Sequence, residues 1–180
     1  AMRRLFYLVS SIDSAEDISR DLHEEGVTDW RFHVVSKNEA GLYQHNLHTA
    51  NVLDRTDLVR YVERGMMVGL AVVALLLVPL MLLSDFGIPT SAWVALAVFL
   101  VVAGGWLAGF GGIQAENYRI QSFHDDIEAG KHLIMVDSPK KHVAKVKELM
   151  KKNHPEAELQ GEDTSFNNPF AKPGKRPRSA

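Results

Sequence analysis

The chain has 180 residues, a formal net charge of −2 at pH 7 and no cysteine. This near-neutral balance gives no overall basicity for binding a phosphate backbone, so no nucleic-acid partner is expected. The lack of cysteine excludes disulfides, thiolate zinc sites and cysteine nucleophiles. The length is enough for one small folded domain together with a short membrane segment.

The chain begins with a pattern of strand, helix and strand. Residues 3–10 are a short run of apolar and aromatic side chains, which is typical of a strand. Residues 14–26 follow with an acidic first turn and with Ile18 and Leu22 at i, i+4 spacing, which predicts an amphipathic helix. In residues 30–36, apolar side chains alternate with Arg and His, which predicts a second strand with one buried face.

Two long apolar runs follow in the middle of the chain. Residues 66–83 and 92–113 contain no charged side chain, and a short polar break separates them. As a helix the first run is roughly 27 Å long, close to the ~30 Å hydrocarbon core of a bilayer. The sequence therefore predicts a transmembrane hairpin of two antiparallel helices. Pro79 lies within the first span and is expected to kink it.

Basic residues near the ends of the two spans predict the orientation of the hairpin. Three arginines precede the first span and Arg119 and Lys131 follow the second, whereas the break between the spans holds Asp85 and no Lys or Arg. The positive-inside rule then places both termini in the cytoplasm and the break on the far side of an inner membrane. The lipid bilayer is thus the first expected partner. The four arginines are Arg55, Arg60, Arg64 and Arg119.

The pattern of strand, helix and strand recurs after the hairpin. The second span is expected to continue as a cytoplasmic helical extension, and residues 131–137, 140–153 and 157–162 are typical of a strand, a helix and a short strand. The remainder is rich in Pro, Lys and Arg and is predicted to be a disordered basic tail. The predicted division is residues 3–53 and 131–162 for a split cytoplasmic domain, 54–130 for the hairpin with its helical extensions, and 163–180 for the tail.

The order of these elements is β-α-β, hairpin, β-α-β. Taken together, the two soluble halves match the split βαβ arrangement of a ferredoxin-like domain, in which helices cover an antiparallel sheet. The hairpin would then be an insertion between the second and third strands. The predicted fold class is an α+β membrane protein: a ferredoxin-like βαβ-βαβ cytoplasmic domain with a two-helix transmembrane hairpin inserted in it.

This element order, together with the segment HNLHTANVLDRTDLVRYVERGMMVG, resembles small uncharacterised bacterial inner-membrane proteins. In those proteins the soluble part is similar to general-stress-protein domains. The resemblance covers most of residues 3–160. It implies a location in the bacterial inner membrane, and it brings no catalytic residues to this chain.

His45 and His48 are the candidate metal ligands. Their i, i+3 spacing would place both rings on one face if this segment is helical. Zinc accepts two imidazoles with a carboxylate, which could come from Glu39, from Asp54 or from the cluster at 124–126. The alternative is that both histidines are polar surface residues with no metal.

Glycines spaced three or four positions apart mark one side of each span. Such small residues let helix backbones approach closely within a bilayer. Two interpretations remain open: the glycines pack the two spans of one hairpin together, or they pack one copy of the chain against another. The positions are Gly65 and Gly69 in the first span and Gly105, Gly109 and Gly112 in the second.

Charged residues flank the spans at their cytoplasmic ends. We expect them to form ion pairs across the hairpin and to contact lipid headgroups, and a charged ring at the mouth of an oligomeric pore is the alternative. Since neither span contains an ionisable residue, the pore is the weaker interpretation. The residues are Arg55, Arg60, Glu63, Arg64, Glu116 and Arg119.

Residue spacing assigns no complete catalytic set, so the expected function is non-enzymatic and needs no cofactor. The chain is predicted to be a homo-oligomeric inner-membrane scaffold or sensor with a cytoplasmic regulatory domain. One alternative is an ion channel or transport assembly built from several hairpins. The other is a metal-responsive regulator that binds a divalent metal through His45 and His48.

Overall fold

The computed structural model describes residues 2–164, apart from the side chain of Val52. Within this range the chain forms two compact units. One comprises residues 2–55 and 118–164, and the other comprises residues 56–117. The predicted disordered tail lies outside the described residues except for residues 163 and 164, which belong to a strand.

A four-stranded antiparallel sheet forms the centre of the first unit. Its strands are β1 (Met2–Val9), β2 (Phe32–Val35), β3 (His132–Pro139) and β4 (Glu158–Thr164), in the spatial order β2-β3-β1-β4. β1 and β3 pair along their full length, from Met2 opposite Pro139 to Val9 opposite His132. Because these two central strands lie on either side of the hairpin in the sequence, their pairing joins both segments of this unit into one sheet.

The helices are distributed over both units. They are α1 (Ile12–Glu24), α2 (Glu39–Gln44), α3 (Val52–Arg55), α4 (Leu58–Val72), α5 (Val78–Leu83), α6 (Thr90–Gln114), α7 (His124–Glu128) and α8 (Val143–Asn153). Short 3-10 turns occur at Asp29–Arg31, Gln121–Phe123 and Lys140–His142. α1, β2, β3 and α8 agree with the elements predicted from the sequence, with shifts of a few residues at their ends.

Helices α1 and α8 cover one face of the sheet. Their apolar stripes, Ile18 and Leu22 on α1 and Val146 and Met150 on α8, are buried in one cluster with the strand residues that alternate toward this side. Ile134 and Val136 of β3 are among those strand residues and are fully buried. Period-two strands and period-3.6 helices thus meet in a continuous apolar core.

The segment after the second span covers the opposite face of the sheet. Ile120, Phe123 and Ile127 pack there in a cluster with Phe6 and Met135, and the rings of Phe6 and Phe123 stack with centroids 5.9 Å apart. This differs from the expected helical extension of the second span, because α6 ends at Gln114 and a 3-10 turn and α7 follow. The chain does not continue as α6 here, because the apolar residues of this segment pack against the second face of the sheet.

The segment before the first span also differs from the expected continuous helix. α3 ends at Arg55, and α4 begins at Leu58 after its N-cap residue Asp57. Asp54, at the predicted start of that helix, accepts a hydrogen bond from Nη1 of Arg4 at 3.0 Å. Arg4 is buried and also binds Asp137 through Nε and Nη2, at 2.8 and 2.7 Å.

The second unit is a helical hairpin. α4, a π-helical turn at Val73–Leu77 and α5 form one continuous helix, Leu58–Leu83, called span 1; α6 is span 2. Both are long and apolar enough to cross a membrane, with mean hydropathy of 2.8 and 2.1 over their most apolar 18-residue windows. The π-helical turn ends just before Pro79, which has no N–H to donate to the preceding turn.

Candidate functional site

The two spans pack through backbone contacts at their glycines. A Cβ added at Gly65 would lie 2.2 Å from the carbonyl oxygen of Gly104, and one added at Gly104 would lie 2.5 Å from the carbonyl oxygen of Gly65. A Cβ at Gly69 would lie 2.7 Å from the carbonyl oxygen of Leu100. Real Cβ atoms do not approach backbone this closely, so the spans can pack at this distance only with glycine at these positions.

The same contact continues toward the open end of the hairpin. Added Cβ atoms at Gly105 and Gly112 would lie 2.7 Å from Cγ of Met66 and 2.8 Å from Cα of Leu58. At Gly109 the nearest atom is a methyl carbon of Val62, at 3.1 Å. All five predicted glycines therefore face the other span of the same chain. We call them, together with the neighbouring Gly104, the glycine seam: Gly65, Gly69, Gly104, Gly105, Gly109 and Gly112.

Backbone and side-chain bonds close the open end of the hairpin. Thr56 and Glu116 form an antiparallel bridge, and the N–H of Asp57 donates to the carbonyl of Ala115 at 3.0 Å. Arg60 donates from Nη1 to Oδ2 of Asp57 at 3.0 Å, and the two residues are 3% and 4% exposed. A buried ion pair thus fixes the first turn of span 1. Arg60 was predicted among the membrane-interface charges, and its partner Asp57 was not singled out.

The other predicted interface charges have different environments. Arg55 contacts Glu39 within the first unit. Arg119, also in the first unit, lies 3.3 Å from Asp163 and donates to the carbonyl of Thr164 at 2.8 Å. Among the described residues no group donates a hydrogen bond to Oε2 of Glu63, although this oxygen is buried.

The outer surface of the hairpin is almost entirely apolar. Leu75 and Leu82 on span 1 are 73% and 75% exposed, and Phe99 and Trp106 on span 2 are 65% and 66% exposed. The rings of Trp106 and Phe110 contact edge to face with centroids 4.8 Å apart. Exposed apolar side chains on all outer faces suit a hydrocarbon environment, in which they need no covering protein.

The two candidate metal-binding histidines lie beside different carboxylates. α2 ends at Gln44, so His45 and His48 do not share a helix face. Nδ1 of His45 contacts Oε2 of Glu16 and lies 3.9 Å from Oδ1 of Asp13, whereas Nδ1 of His48 lies 3.9 Å from Oδ1 of Asp29.

The carboxylates that the sequence suggests for this metal site have other partners. Glu39 binds Arg55, and Asp54 binds Arg4. The residues that the structure brings to His45 were not found from the sequence, since an acidic first turn of α1 is equally expected for a helix N-terminus. Their i, i+3 spacing was the available signal, because it places Asp13 and Glu16 on one side of the helix.

A second imidazole–carboxylate group surrounds Asp29. Its Oδ1 contacts Nε2 of His23, and the other ring nitrogen of His23 faces the carbonyl of Ser19. The hydrogen bond from His23 lowers the pKa of the Asp29 carboxyl below its ordinary value, and the nearby His48 acts in the same direction. Through His23, Asp29 and His48, these contacts link the end of α1, the following turn and the segment after α2.

The first unit also contains a small cavity at the C-terminal end of α1. It has a volume of about 110 Å³, with Leu22, Val146 and Leu149 among its apolar walls and Arg31 and His142 among its polar ones. Sites for small molecules usually enclose about 300–1,000 Å³, so this cavity suits a few waters rather than a cofactor.

No family model, curated protein or solved structure matches the chain. The glycine seam and the apolar outer surface can place the chain in a bilayer, and the imidazole–carboxylate groups can bind protons or cations.

Proposed function

We propose that the chain is a non-enzymatic module of the bacterial inner membrane, a homo-oligomeric scaffold or sensor whose folded domain lies in the cytoplasm. The observation that carries the proposal is the hairpin: two spans joined by backbone contact at the glycine seam, with apolar side chains on their outer surface. Such a hairpin is complete within one chain. In this proposal the hairpin anchors the folded domain to the membrane.

The domain is ferredoxin-like in this proposal, with the hairpin inserted between β2 and β3. The strand order β2-β3-β1-β4 and the sequence order β-α-β, hairpin, β-α-β support this interpretation. A split βαβ domain has helices on one face of its sheet, as α1 and α8 are here. The segment on the opposite face is the addition that accompanies the inserted hairpin.

The orientation and the location are supported by charge and by resemblance. Arg60 and Arg64 lie in the first turns of span 1, and the break at 84–89 contains no Lys or Arg. This asymmetry favours cytoplasmic termini. The segment from His45 to Gly69 resembles small bacterial inner-membrane proteins with general-stress-protein-like domains, which favours the bacterial inner membrane.

Assembly of several copies would use the outer faces of the spans, because the glycine seam is occupied within each hairpin. Span 2 offers a groove lined by Phe99, Val102, Ala103, Trp106 and Leu107. An ion-conducting assembly has less support, since residues 66–83 and 92–113 carry no charged side chain that could mark an ion route. The scaffold or sensor is therefore the preferred function.

Labelling of single cysteines tests the membrane placement, and the absence of native cysteine makes each introduced one unambiguous. We expect Asp85→Cys, between the spans, to react with a membrane-impermeant maleimide on intact cells. Lys141→Cys, on an exposed turn of the first unit, should react only after the cells are lysed. Equal labelling of both positions in intact cells would contradict the proposed topology. A chain recovered in the soluble fraction would contradict the membrane hairpin itself.

A further inference from the structure

The first turn of α1 presents two carboxylates to the end of α2. Ser11 caps α1 by accepting a hydrogen bond from the N–H of Asp13 at 3.2 Å, which fixes where the helix begins. Asp13 and Glu16 are three positions apart at the start of α1, so both side chains leave the helix on the same side. Both are solvent-accessible, with the side chain of Asp13 80% exposed.

A glycine allows α2 to approach this turn closely. A Cβ at Gly41 would lie 2.9 Å from Cδ1 of Ile12 and 2.5 Å from Nδ2 of Asn38. Asn38 caps α2 by accepting from the N–H of Gly41 at 3.0 Å, and the N–H of His45 donates to the carbonyl of Gly41 at 3.1 Å. The position of His45 beside α1 is therefore set by the Asn38 cap, by the burial of Gly41 and Leu42 and by the missing Cβ of Gly41.

One ligand atom from each of Asp13, Glu16 and His45 lies within 4.8 Å of the other two. Ligands of a bound first-row metal lie about 2.1 Å from the ion and hence roughly 3–3.5 Å from one another. The exposed side chains of Asp13 and Glu16 can close that difference by small rotations, whereas the histidine is held by α2. The three groups are thus arranged to converge on a single ion.

We propose that Asp13, Glu16 and His45 bind one divalent transition-metal ion of the Zn²⁺ class. The ligands are Nδ1 of His45 and one oxygen from each carboxylate, and water completes the coordination on the exposed side. An imidazole nitrogen favours Zn²⁺ over Mg²⁺, which prefers ligands that are all oxygen. His48, beside Asp29, lies outside this site.

The bound ion would join α1 to α2, and the chain runs from α2 through α3 directly into span 1. This inference goes beyond the scaffold or sensor function and does not depend on it.

Titration of the full chain in detergent with Zn²⁺, monitored by calorimetry, measures the affinity and the number of bound ions and so tests the site. We expect one ion per chain and a loss of affinity of at least about tenfold in His45→Asn and in Asp13→Asn, since even outer-shell changes cost 10–100-fold. His48→Asn is the matched control and should bind as the original chain does. Asp13→Asn alters an exposed side chain, so it separates loss of a ligand from any unfolding of α2 in the histidine variant.

A Zn²⁺ affinity that His45→Asn and Asp13→Asn leave unchanged would overturn the proposal, as would equal competition by Mg²⁺. Absence of Zn²⁺ binding to the original chain at neutral pH would also overturn it. His45 and Glu16 would then form an imidazole–carboxylate pair only. None of these results would affect the membrane topology, which the cysteine labels test separately.

Discussion

Buried polar residues at the ends of the strands hold this domain in register. His132, at the start of β3, is 7% exposed, and its Nδ1 lies 2.7 Å from Oγ of Ser36. Burial lowers the pKa of His132 below its ordinary value because the charged imidazolium loses its hydration. A neutral histidine sharing a hydrogen bond with a serine is the form that the fold stabilises.

The lowered pKa of His132 predicts that the domain is less stable in acid. In the unfolded chain this histidine takes up a proton near pH 6.5, whereas in the folded chain it takes one up only at lower pH. The unfolded state therefore binds more protons in this window, and the free energy of unfolding falls as the pH drops below about 6.5. One titrating group changes the free energy of unfolding by at most about 1.4 kcal/mol per pH unit.

His132→Gln should remove this dependence, because glutamine can keep a hydrogen bond to Ser36 and does not titrate. Chemical unfolding of the full chain at several pH values between about 5 and 7.5 measures the slope. His142→Gln, which alters an exposed histidine, is the control and should retain it. A slope that survives His132→Gln would assign the acid sensitivity to another group.

At the scale of elements, alanine substitution at two glycines of span 2 should change the stability of the hairpin in opposite directions. Gly104 belongs to the glycine seam, and Gly111 does not. A Cβ at Gly104 would meet the backbone oxygen of Gly65 at 2.5 Å, whereas one at Gly111 would meet only ring carbons of Tyr61 at 3.6 Å. Gly104→Ala should therefore force the spans apart and cost about 1–3 kcal/mol. Gly111→Ala should be neutral or stabilise the helix by up to about 1 kcal/mol.

Unfolding of the hairpin by titration with a denaturing detergent compares the two alanine variants. Their helix propensities change equally, so any difference measures the contact between the spans. Equal stabilities would mean that the backbones of Gly65 and Gly104 are not in contact in the bilayer.

An element can be predicted from the sequence when the residues that determine it lie within a few positions of one another. The two spans, α1 and β3 follow from patterns within a few residues, and the sequence predicts them. One partner of Arg4 is Asp137, 133 positions away, and no local pattern indicates such a pair. Likewise Phe123 was assigned to a helical extension, because its contact with Phe6 depends on a sheet face that only the assembled fold creates.

The candidate site could be predicted only in part, because it too depends on contacts between residues that are distant in the sequence. Glycine spacing along each helix indicates a packing face, but it does not say which helix lies opposite, and the structure places the other span of the same chain there. His45 and His48 would share one face only if a helix continued through both residues. Helix α2 instead ends at Gln44, before either histidine. Once the chain leaves the helix, spacing no longer predicts which side chains meet, and the fold places each histidine beside a different carboxylate.

At the scale of the whole molecule, the proposed homo-oligomer must form through surfaces outside the glycine seam. The groove on span 2 contains the exposed rings of Phe99 and Trp106, and close packing of aromatic side chains can join helices in a bilayer. We therefore expect the full chain in nanodiscs to have a native mass of at least two copies. Trp106→Ala should lower that mass toward one copy.

Leu76→Ala is the matched control for Trp106→Ala, because Leu76 is 66% exposed on span 1 and lies outside the groove. It removes an exposed apolar side chain from the hairpin outside the groove, so the native mass of this variant should equal that of the original chain. An equal loss of mass in both variants would point to a general effect on the hairpin rather than to this interface. A single copy in the original chain would refute the homo-oligomer and leave a monomeric membrane-anchored domain, since the seam closes each hairpin within one chain.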